Sequence, residues 1–108
     1  MTLAFDFHPE ARAEFLADAN WYDDREADVG ARFVAAVRQA VDAAVGSPDS
    51  WAIYPGWDLQ PVVRSKGVSG FPYRLVYFVA NDLLTIVAVA HTKRRPGYWQ
   101  DRVSRWSG

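Results

Sequence analysis

The chain has 108 residues, no cysteine, and hydrophobic side chains at half of its positions. That length suits a single domain over residues 1–108, and one this size buries roughly two-thirds of its unfolded surface without staples. Disulfides and thiolate metal sites are excluded, and no apolar run approaches the roughly 20 residues of a membrane helix. The net charge of −1 hides a strong polarity. Residues 1–60 hold eleven Asp/Glu against four Lys/Arg, whereas residues 61–108 hold two against eight. Such asymmetry points to a polyanionic partner, or else to an acidic half complementing a basic half within one fold.

Met1-Thr2-Leu3-Ala4-Phe5-Asp6-Phe7-His8 has neither a basic leader nor a signal-like apolar core, so a cytoplasmic protein is expected. Leu3, Phe5 and Phe7 alternate with Ala4 and Asp6, the period of a short strand. His8-Pro9-Glu10 opens a helix, with Pro in the first turn and an acid opposing the dipole. Ala11, Phe15, Ala19 and Tyr22 share its apolar face, with Trp21 one position off the stripe. The pattern lapses at Asp23-Asp24-Arg25-Glu26. A second helix over 27–45 presents Phe33, Val37, Val41 and Ala44, and Gly46-Ser47-Pro48 ends it. A short polar turn between two helices makes an antiparallel pair.

Residues 49–60 form an irregular loop. Strands are expected over 61–66, 73–79 and 83–90, with Gly67-Val68-Ser69-Gly70 and Asn81-Asp82 as turns. A short helical or irregular tail follows Pro96-Gly97. The order β-α-α-β-β-β argues an α+β fold, with a helical hairpin packed on one face of a twisted antiparallel sheet. The other face is then open, or closed only by the loop and tail.

A primed turn at Asn81-Asp82 opposes Ala80 to Leu83 and sets the hairpin register. Phe78 then faces Thr85, Arg74 faces Val89, and Arg74 and His91 become diagonal neighbours on one face. A bulge would shift this register by one and separate them. Arg74, set among bulky residues, wants a bidentate anion: a phosphate, or a carboxylate of the helices. His91 is either a general acid or base, or a strand-end histidine bonded to backbone. Lys93, Arg94 and Arg95, followed by Tyr98 and Trp99, suit a nucleic-acid strand, with cations for phosphates and rings for bases. Trp99 reads better as an anchor for the tail. Arg64 and Lys66 on the neighbouring strand extend the same basic patch. His8 reads as a capping residue. No metal-ligand spacing, Gly-rich phosphate loop or nucleophile elbow occurs, so no metal or cofactor is expected.

These residues resemble the RelE/ParE superfamily of toxins from bacterial type II toxin–antitoxin systems. The resemblance is carried by Phe7-His8-Pro9-Glu10-Ala11, Trp21-Tyr22, Gly30-Ala31-Arg32-Phe33, Phe71-Pro72-Tyr73-Arg74-Leu75-Val76-Tyr77, and the run from Val89 to Trp99. It implies the same β-α-α-β-β-β fold, a cytoplasmic toxin, and a small cognate antitoxin wrapped onto it in a hetero-oligomer. One branch of the superfamily cleaves mRNA on the ribosome through the substrate's own 2′-hydroxyl. In that branch Arg74 would hold the scissile phosphate, His91 would move protons, and Tyr98 matches a tail tyrosine. Arg64, Lys66, Lys93, Arg94 and Arg95 would grip RNA. RNA cleavage is the leading expectation, and the alternative is the ParE-like branch, which lacks that catalytic set and poisons DNA gyrase by binding. The thin basic content of the 62–66 strand departs from the ribonuclease pattern.

Overall fold

The computed structural model describes residues 3–107, with side chains through residue 103. Its elements are β1 (Ala4–Phe7), α1 (Pro9–Arg25), α2 (Val29–Gly46), β2 (Val63–Gly67), β3 (Tyr73–Ala80), β4 (Leu83–His91) and α3 (Gln100–Ser107). The α+β order expected from the sequence is the order found, and the tail is helical.

His8 caps α1, its Nδ1 accepting from the Glu10 amide at 3.1 Å. This satisfies one of the amides that the first turn leaves without an intrahelical partner. The two helices meet closely at Gly30. Its amide donates to the Asp23 carboxylate at 2.8 Å, and a Cβ there would overlap both that carboxylate and the Ala19 carbonyl. Only glycine lets the α2 backbone approach α1 this far.

The sheet order is β1-β4-β3-β2. β2, β3 and β4 form an antiparallel meander, but β1 joins β4 in parallel, so the sheet is mixed rather than antiparallel. Parallel neighbours need a long connection, and here it runs through the helical hairpin, the 47–62 loop, β2 and β3. On one face, α1 and α2 bury Phe33, Val37 and Val41 against Leu75, Leu84 and Ile86. Phe33 is the hub of an aromatic cluster, 4.7 Å from Tyr73 and 5.2 Å from both Tyr22 and Phe71 between ring centroids. On the other face, Val63, Val76, Phe78 and Val87 are covered by Trp99 and Val103 of the tail, with Tyr54 and Trp57 of the loop beside them. Loop and tail therefore close the second face.

Asn81 and Asp82 both take positive φ, 54° and 61°, as a primed two-residue turn requires. The expected register holds from the turn as far as Tyr77↔Ile86. There a bulge intervenes. Val76 pairs with Ala88, leaving Val87 as the inserted residue, and every later pair is offset by one.

Gly30→Ala is expected to destabilise the fold by about 1–3 kcal/mol, the usual cost of overpacking a close contact. Urea denaturation of the two proteins measures it, and an unchanged midpoint would refute the close-approach argument.

Candidate functional site

The bulge decides the geometry of the basic end. Arg74 pairs with Ala90, and its side chain lies on the face of Val76 and Phe78. His91 pairs with Tyr73, and its ring packs edge-on against the Tyr73 ring at 5.0 Å, on the helical face. Arg74 and His91 are therefore not diagonal neighbours. The expected shared face is overturned because Val87 adds one residue to β4, and a shift of one residue exchanges faces.

Arg74 is exposed but held. Its Nε donates to Ser65 Oγ at 3.1 Å and its Nη2 to the Ser65 carbonyl at 3.3 Å. Among the described residues no carboxylate forms an ion pair with it. The helix carboxylate considered as its partner is thus not used. Arg74 floors a small cavity of about 150 Å³, walled by Tyr54, Val76, Pro96 and Trp99 and rimmed by Arg94 and Arg95. His91 also lines this cavity, and its Nδ1 accepts from the Lys93 amide at 3.0 Å.

Tyr98 faces α1. Its hydroxyl lies 3.4 Å from Glu14, and burial, reinforced by that carboxylate, pushes the phenol pKa up against the pull of Arg94 and Arg102. The Arg94 guanidinium covers the Tyr98 ring at 3.9 Å. Lys93, Arg94 and Arg95 are all exposed in the turn after β4.

Arg64 and Lys66 do not extend this patch. They pair with Tyr77 and Leu75, which face the helices, whereas Ser65 shares Arg74's face. Arg64 donates to the Trp51 carbonyl at 2.8 Å, and the Lys66 ammonium sits 4.4 Å over the Trp51 ring. Both cations hold the 47–62 loop.

Sequence reasoning missed the residue that secures the site. Arg102 is buried, bonded to both Glu14 oxygens at 3.0 and 2.5 Å and to the Val87 carbonyl at 2.9 Å. Burial works against its charge, yet the hydrogen bond and charge of Glu14 outweigh this and raise its pKa. Arg102 lies one turn past Trp99 in an amphipathic tail, a spacing that placed it next to the sheet but named no partner. Asp18 was also missed. Burial raises its pKa, and a hydrogen bond from Tyr73 opposes the rise.

A second surface is apolar. Phe5, Leu16 and Val34 are exposed along the β1 edge and the adjoining helical faces, and Phe15 lies between them in a shallow groove flanked by Arg12 and Arg38. A contiguous exposed apolar strip of this kind marks a protein interface. Among the described residues no helix is long and apolar enough to cross a membrane, and no cluster of metal-ligating side chains occurs.

A helical hairpin on a four-stranded mixed sheet is consistent with the fold that the resemblance to RelE/ParE toxins implies. The family model described as ParE toxin of type II toxin-antitoxin system, parDE, matches residues 5–96. The chain belongs to that family, and a cognate antitoxin is its partner. No curated protein matches the sequence.

Arg102→Met leaves the Val87 carbonyl and Glu14 without their donor and is expected to cost about 3 kcal/mol. The double change with Glu14→Gln should cost less than the sum of the single changes. Chemical denaturation of the four proteins measures the coupling, and strict additivity would refute it. Asp18 supplies a pH prediction. Its folded pKa lies above its unfolded value, so the native state holds the proton more tightly and stability falls as pH rises from 3.8 through the folded value. Asp18→Asn should therefore be slightly more stable than the parent at neutral pH and lose that advantage below pH 3.8, read from thermal midpoints across the range.

Proposed function

We propose that this toxin arrests growth by binding its target, with DNA gyrase as that target, and cleaves no RNA. The observation that carries the reading is the one-residue bulge at Val87. It separates the anion-binding guanidinium of Arg74 from the imidazole of His91, and Tyr98 is committed to Glu14. Acid–base cleavage needs the proton-transfer groups within hydrogen-bonding reach of the scissile phosphate that the guanidinium holds. Membership of the ParE family supports the same reading, because the resemblance associates that branch with gyrase.

The antitoxin belongs, on this reading, to a different surface of the molecule. The strip of Phe5, Leu16 and Val34 is apolar, and none of these residues lines the cleft beside the cationic turn. Covering it silences the toxin by adding bulk rather than by filling a catalytic centre.

Expressed without its antitoxin, the chain is expected to stop thymidine incorporation before leucine incorporation, and the purified protein to inhibit supercoiling by gyrase. His91→Gln and Tyr98→Phe should each keep full growth arrest. Removal of a general acid or base costs roughly 100-fold or more. A loss of that size from either change, accompanied by RNA cut on ribosomes, would replace this reading with the ribonuclease one. Phe5→Asp should weaken antitoxin binding by about tenfold or more, the loss typical of truncating a central interface residue, measured by titration of labelled antitoxin.

A further inference from the structure

We propose that the cleft floored by Arg74 is a docking slot for an acidic segment of a partner protein, with Arg74 as the receptor for one carboxylate. This goes beyond the choice of target and does not depend on gyrase being that target.

Three observations lead to it. The first is the preparation of Arg74. Two of its nitrogens are fixed by Ser65, so the guanidinium is oriented before any ligand arrives. Its Nη1 makes no hydrogen bond among the described residues, and no carboxylate neutralises the group. A guanidinium held in one plane presents its remaining N–H groups to an oxyanion at little further entropic cost.

The second is the character of the walls. The 150 Å³ cavity adjoins a wider one of about 540 Å³, and the two share Tyr54, Arg74 and Pro96. The wider part is lined by Ala52, Ile53 and Pro55, and Ile53 is 47% exposed. One charged receptor beside apolar shelves fits a carboxylate side chain flanked by aliphatic residues.

The third separates protein from RNA. Single-stranded RNA binds on open aromatic faces, each stacked base contributing roughly 1–3 kcal/mol. Here the rings are occupied. Trp99 is packed between Tyr54 and Trp57, at 4.8 and 5.6 Å, and Arg94 covers Tyr98. Cations remain available, but among the described residues the Trp99 and Tyr98 rings of this cleft are already packed. The basic half of the chain holds only two acids, so its field favours an acidic visitor.

The test uses the purified full chain and a fluorescent pool of seven-residue peptides, each with a central Glu between Leu, Ile or Val residues, read by anisotropy. The pool should bind, and a matched pool with Gln in place of Glu should bind at least tenfold more weakly. Arg74→Gln should abolish the preference for Glu over Gln. Arg74→Lys, which keeps the charge but loses the fork, should retain only part of it. Ser65→Ala, which removes the hydroxyl that holds Nε and keeps the carbonyl that holds Nη2, should weaken binding by a smaller factor. Near-parental thermal midpoints establish that the variants are folded. No difference between the two pools would overturn the proposal. So would a seven-nucleotide single-stranded RNA that binds more tightly than the peptides and depends on Arg74. Gyrase inhibition measured on the same variants is a separate readout: peptide binding without gyrase inhibition removes the gyrase reading and leaves the slot intact.

Discussion

Arg102 ties α1, β4 and the tail helix together through one side chain. Its guanidinium takes the Glu14 carboxylate of α1 and the Val87 carbonyl of β4, while the helix that carries it covers the far face of the sheet. The place is available because β1 stops pairing at Phe7↔Ile86, which leaves the following stretch of β4 without a neighbour on that side. A carbonyl on a bulged residue needs a donor, and a planar group with five N–H bonds can serve it and a carboxylate together. An ammonium has the charge but not the fork. The position of Trp99, and with it the turn holding Lys93, Arg94 and Arg95, follows from this anchor.

Most elements were legible because each carried a local physical signal. Pro9 after His8, the i, i+3, i+4 faces of the helices and Gly46 before Pro48 locate α1 and α2. Asn81-Asp82 locates the hairpin turn and even its positive φ angles. What failed was information that local signals do not carry. β4 is buried on both faces from Leu84 to Val89, so its apolar run has no alternation from which a phase change at Val87 could be read. The bulge was therefore invisible, and the face of His91 was assigned from a register true only near the turn. The direction of β1 failed for a related reason: an amphipathic strand pattern is the same read in either direction.

The same limit explains the candidate site. Arg74 was found because a cation within a bulky strand is conspicuous, and the structure leaves it facing a cleft without an acidic partner. Arg64 and Lys66 looked similar but lie on residues of the other parity, set by a β2–β3 register that no tight turn announces. Ser65, between them, is the residue that matters to Arg74, and nothing in its composition distinguishes it. Trp99 was legible as an anchor, since a large indole beside a short tail is most readily accommodated by burial.

One inserted residue thus separates two kinds of molecule. In an unbroken register, an arginine and a histidine on adjacent strands would share a face, and a bound phosphate could meet a proton donor. With Val87 added, the imidazole turns to Tyr73 and the helices, while the guanidinium turns to the cleft under the tail. The offset starts the two side chains from opposite faces of the sheet, although both residues line the cavity at its end. The offset is further secured by Arg102, which holds the carbonyl of the inserted residue and draws on Glu14 to do so. The arrangement that keeps this fold closed is the one that keeps its arginine and histidine apart.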